Sequence, residues 1–279
     1  MIIHSDWHNH STASYDGSLT LETLAQAAET FAFRKIGVTD HLNYNDKAFL
    51  GDLDNSAASV KAVQEKYPKL VLGVELTPIA KPEFDYIAKT HTREGFVPPM
   101  SAEPYAIELG QTKEELIARG VRYAIGASHW RVDIPNWQSV APELHADMQE
   151  WYRQQLWLAC DERVTVLGHP WYHPYGLWYD DFSVIPHTMN EEIGAALKEN
   201  GKYVECNSGF LRETEAPEKS LHKYAEFLRE WFEMGIPVVH GSDSHFAYNG
   251  DHLFAEPYLA AAGFQDGDIV EIAEADLWR

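Results

Sequence analysis

Cysteine is nearly missing from this sequence. Its 279 residues hold only Cys160 and Cys206, with no C-x-x-C pair, so neither a disulfide framework nor a thiolate metal site is on offer. Basic charge is scarce as well: 22 Lys and Arg stand against 43 Asp and Glu, a net −21 at pH 7. Without a clustered Lys/Arg footprint the chain is unsuited to nucleic-acid backbones and to anionic membrane surfaces. No apolar run approaches the ~20 residues of a transmembrane helix. The opening MIIHSDWHNH is too polar for a signal-peptide core, so a cytoplasmic protein is expected. The G-x-S-x-G elbow and the G-x-x-x-x-G-K-[ST] and G-x-G-x-x-G phosphate loops are missing too. Cys160 falls inside an apparent helix and Cys206 at a strand end, which leaves a cysteine nucleophile without support. Neither an internal repeat nor a low-complexity segment is found.

What the chain does have is an alternation of elements. Short apolar runs rich in β-branched residues read as buried strands at 1–6, 35–39, 70–76, 123–127, 164–167, 202–206 and 236–239. Amphipathic stretches at 21–33, 56–67, 113–119, 143–160, 190–200 and 218–234 separate them. Thr20 is a candidate N-cap, and Thr112-x-x-Glu115 and Thr188-x-x-Glu191 have the capping-box spacing. Strands alternating with helices imply parallel pairing and right-handed crossovers. Seven such strands suit one closed or nearly closed α/β barrel over residues 1–279 better than two domains. One segment, 77–110, breaks the rhythm with five of the 14 prolines and is expected to be an excursion on the strand-end face.

The 14 histidines are the informative count, because they follow the strands. After the successive runs come Asp6-Trp7-His8-Asn9-His10, Asp40-His41, Glu75, Ser128-His129, Gly168-His169-Pro170, Asn207, and Gly241-Ser242-Asp243-Ser244-His245. Barrel enzymes collect their active-site side chains from the C-terminal ends of strands. Imidazole and carboxylate are the donors that zinc, manganese and iron accept. In His8-x-His10 the alternation of an extended segment points both rings the same way, Asp243-x-His245 repeats that geometry, and Glu75 can bridge two ions. A single strand-end histidine is more often structural, but this many together point to two or three divalent ions. A metal pair can activate a water and clamp both oxygens of an in-line phosphoryl displacement. His4, His91, His145, His187, His222 and His252 lack the placement and are expected to be solvated or capping. His173 and His240 read as core or supporting residues. Trp7, Trp130 and Trp171 adjoin the donors and are candidates to wall the pocket or hold ligand orientation.

At this point the residues resemble the polymerase and histidinol phosphatase (PHP) domain family. The matching segments, DWHNHSTASYDGS, IGVTDH, GVE, IGASHW, LGHP, VECNSG and HGSDSH, occur in the family's order between Asp6 and His245. The resemblance implies a distorted seven-stranded (β/α) barrel, TIM-like, with a trinuclear metal site on its C-terminal face. It implies the ligand set His8, His10, Asp16, His41, Glu75, His129, His169, Asp243 and His245. Asp16 comes from the resemblance alone, since it lies in a loop at a family position that varies between His and Asp. IGASHW, VECNSGFLR and GIPVVHGSDSH are most like the histidinol-phosphate phosphatase branch. That likeness puts Asn207, Ser208, Gly209 and Arg212 next to the phosphate, with Arg131 as a second cationic candidate. The 77–110 segment has no counterpart there, and His240 stands where the family often has a hydrophobic residue.

The expected activity is therefore a metal-dependent phosphoesterase, foremost a phosphomonoesterase on a small phosphorylated metabolite similar to histidinol phosphate. A hydroxide held between metals would attack phosphorus, Arg212 and Arg131 would neutralise the equatorial oxygens, and Asp243, His245 or a water would protonate the leaving alkoxide. The alternatives are a phosphodiesterase or nuclease acting on short nucleic acid or nucleotides, and a metal-dependent hydrolase of a non-phosphate bond. A catalytically idle scaffold is disfavoured by the complete ligand set, and the acidic charge disfavours extended nucleic acid.

Overall fold

A computed structural model describes residues 3–43, 47–90, 100–129, 144–173, 176–212, 215–248 and 250–279. His91, Trp130 and Arg131 lie outside the described residues. In chain order the elements are β1 (Ser5–Asp6), α1 (Leu21–Thr30), β2 (Lys35–Val38), β3 (His41–Asn43), α2 (Lys47–Val63), β4 (Leu70–Leu72), β5 (Val74–Thr77), β6 (Ile79–Ala80) and α3 (Lys81–Thr90). There follow β7 (Ile107–Glu108), α4 (Lys113–Ala118), β8 (Ala124–Gly126), α5 (Leu144–Cys160), β9 (Val166–Leu167) and α6 (His187–Glu199). The chain closes with β10 (Tyr203–Asn207), α7 (Ser208–Arg212), α8 (Glu218–Glu233), β11 (Val238–Gly241) and α9 (His252–Ala261). Each expected strand has its counterpart, and those counterparts all pair in parallel.

The expected closed barrel is not seen as one continuous ladder. The strands form a β1-β2-β4 sheet and a β11-β10-β9-β8-β5-β3 sheet, with β6 and β7 as a separate antiparallel pair. Residues beyond the short β1 meet those around β11 through Trp7 N to His240 O, Asp243 N to His8 O and His10 N to Ser244 O, each 2.9 Å. Those same residues carry the donor side chains, so the backbone here turns to aim side chains instead of extending a ladder.

Two apolar layers hold the sheets. On the inner side Trp7, Val71, Tyr123, Ile125, Val166, Tyr203 and Val239 pack with Ile272 and Leu277 from the end of the chain. Val270 N bonds Val238 O (2.8 Å) and Trp278 N bonds Arg122 O (2.6 Å), which fixes that terminal segment as a floor. The Tyr123 hydroxyl donates to Trp7 O at 2.6 Å across the position of Gly37, where a Cβ would lie 2.0 Å from the hydroxyl oxygen. On the outer side helices cover the sheet. In α8, Leu221, Tyr224, Ala225, Leu228 and Trp231 recur at helical spacing and are buried, each large apolar side chain contributing about 1.5–3 kcal/mol.

Local capping follows the sequence in two of three places. Thr20 accepts from Thr23 N, and Thr112 and Glu115 form a reciprocal capping box. Thr188 does not cap α6, because the helix begins at His187 and Pro186 takes the cap position. Helix α2 starts well before the expected residue 56, for Ser56 gives its hydroxyl to Asp40 (2.6 Å) from inside the helix. The described residues of the proline-rich excursion include β6, β7 and α3. Among the described residues no helix is long and apolar enough to cross a membrane.

Candidate metal centre

The strands bring eight of the nine expected donors to one place, and a loop adds the ninth, Asp16. His8 and His10 follow β1, His41 opens β3, Glu75 lies in β5, His129 follows β8, His169 follows β9, and Asp243 and His245 follow β11. Register accounts for part of the convergence: His41 pairs with Glu75 across β3 and β5. Three interlocking groups result, His10–Asp16–His41–His245, His8–His10–Asp243 and His41–Glu75–His129, each able to hold a metal ion. Asp16 reaches the first group from the loop between β1 and α1, with Oδ2 3.2 Å from His41 Nε2 and 3.3 Å from His245 Nε2.

Glu75 is the hub. Its Oε2 lies 2.6 Å from His41 Nδ1 and 3.4 Å from both His8 Nε2 and His10 Nε2. Its Oε1 lies 3.1 Å from His169 Nε2 and 3.5 Å from His129 Nε2. Asp243 Oδ1 faces His10 Nε2 at 3.1 Å and His8 Nε2 at 3.5 Å, while its Oδ2 accepts from Asn207 Nδ2 at 3.3 Å. The backbone is bent to achieve this: Asp243 has φ 54° and His169 φ 22°, left-handed values that cost a residue other than glycine about 1–3 kcal/mol.

The donor set fits a divalent cation. His8 Nε2, His10 Nε2 and Asp243 Oδ1, which form one of the three groups, stand 3.1–3.5 Å apart. Ligands at ~2.05 Å around a tetrahedral ion are separated by about 3.3 Å. Glu75 Oε2 and His41 Nδ1, though close and buried, make no well-directed hydrogen bond. Charge tells the same story. Burial would push the Glu75 and Asp243 carboxyls up, but the surrounding imidazoles hold both well below the usual range, with His41 leading for Glu75 and His8 for Asp243. Burial would likewise raise Asp16, and the hydrogen bonds from His245 and His41 hold it low. His8 and His41 are driven down by burial but end well above their ordinary value, through Glu205, Asp243 and Glu75 for His8 and through Glu75 and Asp16 for His41. His10 is pushed down to about 3 by burial and by His41. Protons thus occupy places that cations would compete for.

Several acidic residues support the donors from behind. Asp6 accepts from His8 N (3.2 Å), Ser242 N (3.0 Å) and the Tyr248 hydroxyl (2.5 Å). Asp40 accepts from Ser11 N, Ser11 Oγ and Ser56 Oγ. The residue that sequence reasoning missed is Glu205, whose Oε1 lies 2.7 Å from His8 Nδ1. A lone carboxylate inside an apolar strand, two residues before the strand-end Asn207, was the available signal.

Other expectations shift. Arg212 ends α7 and forms its ion pair with Asp251 (2.7 Å) instead of a donor-cluster carboxylate. Trp7 and Trp171 do not wall a pocket: Trp7 packs edge-on to Tyr123 in the inner layer, and Trp171 is buried with Nε1 donating to Asn190 Oδ1. His252 is not solvated but buried edge-on to Phe31 and Phe33. His173 is core, stacked on Trp151, and His240 is core, bonded through Nε2 to Ser208 Oγ (2.9 Å). Cys206 is buried, and desolvation pushes its thiol up, which suits an inert side chain.

The chain is an α/β protein of mostly parallel strands with imidazoles and carboxylates gathered beyond them, the side on which barrel enzymes carry their chemistry. Sequence comparison narrows the class. The PHP domain profile matches residues 6–209, most of the chain, and the protein belongs to the PHP domain family. No curated protein sequence matches the chain. Among solved structures, histidinol phosphate phosphatase from Lactococcus lactis, crystallised with zinc, L-histidinol and phosphate, superposes with a TM-score of 0.65 at 17% identity, over 94% of each chain. The A. niger ochratoxinase overlaps less well, with a TM-score of 0.42 at 16% identity over 93% of this chain and 67% of that one.

Proposed function

We propose that the protein is a metal-dependent phosphomonoesterase acting on a small phosphorylated metabolite of the histidinol phosphate kind, built as one domain on a distorted seven-stranded (β/α) barrel. The observation that carries this reading is the convergence of five imidazoles on the two oxygens of Glu75. His8, His10, Asp16, His41, Glu75, His129, His169, Asp243 and His245 would hold two or three divalent ions, zinc, manganese or iron. Such ions supply Lewis acidity toward phosphoryl oxygens and lower the pKa of water toward neutrality.

The chain's own residues do the rest. Glu75 touches histidines of all three donor groups and so fixes their separation. Asp16, His129, Asp243 and His245 are the members that reach solvent, with side chains 17–29% exposed, and they mark the side from which substrate arrives. His245, Asp243 or a water would hand a proton to the leaving oxygen, His245 foremost because the imidazoles hold Asp243 ionised. Arg212, oriented by Asp251, would offer its planar fork to phosphate oxygens. The net charge of −21 favours a small substrate over a polyanion.

Metal analysis combined with an ester panel tests the reading. The purified protein should carry two or three metal equivalents. It should hydrolyse p-nitrophenyl phosphate and histidinol phosphate at least about tenfold faster than bis-p-nitrophenyl phosphate, a difference of ~1.4 kcal/mol in barrier. Fewer than one bound metal after reconstitution, full activity after chelation, or preference for the diester would sink it.

A further inference from the structure

We infer that Glu205 is a positioning residue of the metal centre: it fixes the His8 ring in the tautomer that leaves Nε2 open to an ion, and it ties that ring to the backbone at His169. This rests on the metal-binding reading of the site given above.

All five residues of β10 are buried, and strand alternation puts Tyr203, Glu205 and Asn207 on one face. Tyr203 belongs to the inner apolar layer, and Asn207 at the top donates to Asp243. Glu205 lies between them, so its carboxylate sits in the interior under the donors. Both oxygens are used. Oε1 is 2.7 Å from His8 Nδ1, and Oε2 accepts from His169 N at 2.5 Å and Asn207 Nδ2 at 3.3 Å.

A carboxylate can only accept, so the proton in the His8 contact belongs to Nδ1. In the neutral ring Nε2 is then a bare lone pair, and it faces His10 Nε2, Glu75 Oε2 and Asp243 Oδ1 at 3.2–3.5 Å. Metal-ligating histidines are commonly held through their other nitrogen in this way. The same carboxylate anchors the His169 amide, whose residue carries the left-handed φ of 22° and presents its own Nε2 to Glu75.

The neighbouring strand gives an independent sign that this path is built in. Gly241 pairs with Asn207 across β10 and β11. A Cβ there would lie 1.9 Å from Glu205 Oε1 and 2.7 Å from His8 Cβ. No side chain fits where the carboxylate crosses to His8.

Glutamine at this position separates positioning from mere space-filling. Its carbonyl would go to the two donors, His169 N and Asn207 Nδ2, which leaves the amide NH2 facing His8 Nδ1. His8 must then accept at Nδ1 and carry its proton on Nε2, pointing into the donor cluster. The isosteric change therefore harms metal binding as much as truncation does, whereas a packing role would make it the milder of the two.

The test is chelator competition with zinc alone, on wild type, Glu205→Gln, Glu205→Ala and Gly241→Ala, with thermal unfolding to confirm that each is folded. Glu205→Gln should stay folded, lose about 10–100-fold in zinc affinity for at least one equivalent, and bind no better than Glu205→Ala. Gly241→Ala should lose zinc affinity with Glu205 intact. A folded Glu205→Gln that holds zinc as tightly as wild type overturns the inference. Wild-type protein that binds no zinc, manganese or iron defeats the metal reading and this inference with it. Protein that holds zinc but cleaves no phosphomonoester defeats the proposed activity alone.

Discussion

Asp251 is completely buried, and the cation that meets it is Arg212, one guanidinium nitrogen lying 2.7 Å from Oδ1. The other oxygen accepts from Ser244 Oγ at 2.7 Å, and the Ser244 and Ser242 hydroxyl oxygens lie 2.9 Å apart. Both serines flank Asp243, so the arginine proposed to face phosphate is mechanically joined to the loop that carries two of the donors.

Loss of Arg212 should therefore be felt as instability as well as lost turnover. Removing one partner of a buried pair costs ~3–5 kcal/mol, and because the arginine is partly exposed, about 2–3 kcal/mol is expected for Arg212→Ala. Urea unfolding measures it. The double variant with Asp251→Asn should recover at least half, since the stranded charge is gone; no recovery would show that Asp251 is not the group left unpaired.

Glu75 and Asp16 should differ in reach. Glu75→Gln touches five imidazoles and should reduce bound metal by more than one equivalent, with kcat/KM down at least about 100-fold, ~2.7 kcal/mol. Among the described imidazoles Asp16 meets His41 and His245, so Asp16→Asn should lose about one equivalent. Elemental analysis after dialysis reads both, and equal losses would contradict Glu75 as the hub.

Metal removal should soften the protein. Chelated protein returned to zinc at about one hundred times the Kd should gain ~2.7 kcal/mol of stability by mass action, seen as a rise in Tm. The gain should be halved or worse in His8→Ala. An unchanged Tm on reloading would argue against ions bound to the folded state.

His252 offers a pH test away from the donors. Burial first, then the neighbouring His240, pushes its imidazole down to about 4. A depressed pKa means stability that is present above the unfolded value near 6.5 and lost as pH falls toward the folded value. Between pH 7 and pH 4 this group should remove about 2–3 kcal/mol. In His252→Phe that part of the slope should vanish in urea titrations at the two pH values. Identical slopes would mean that His252 does not stay neutral in the fold.

The sequence is a good guide to the donors for a simple reason. Strands of a parallel α/β fold end on one side, so polar residues that repeatedly follow apolar runs must meet. His8, His41, Glu75, His129, His169 and Asp243 all obey that rule. Asp16 does not, because a loop delivers it, and only the family resemblance points to it. Glu205 is hidden for the opposite reason: it sits inside a strand whose neighbours Val204 and Cys206 face the outer layer, and local pattern cannot say that the inner face holds a second polar tier. His252 follows no strand, and its burial depends on Phe31 and Phe33, more than 200 positions away in the chain. The seam between β1 and β11 is likewise a matter of backbone direction after the strands, which hydropathy does not encode.

The packed floor of Tyr203, Val239, Ile272 and Leu277 makes the interior a dead end. Among the described residues that layer closes the side below the donors, which leaves the strand-end side for whatever reaches them. On the proposed activity, the substrate and the freed phosphate would share that one side, so phosphate would compete with the next substrate.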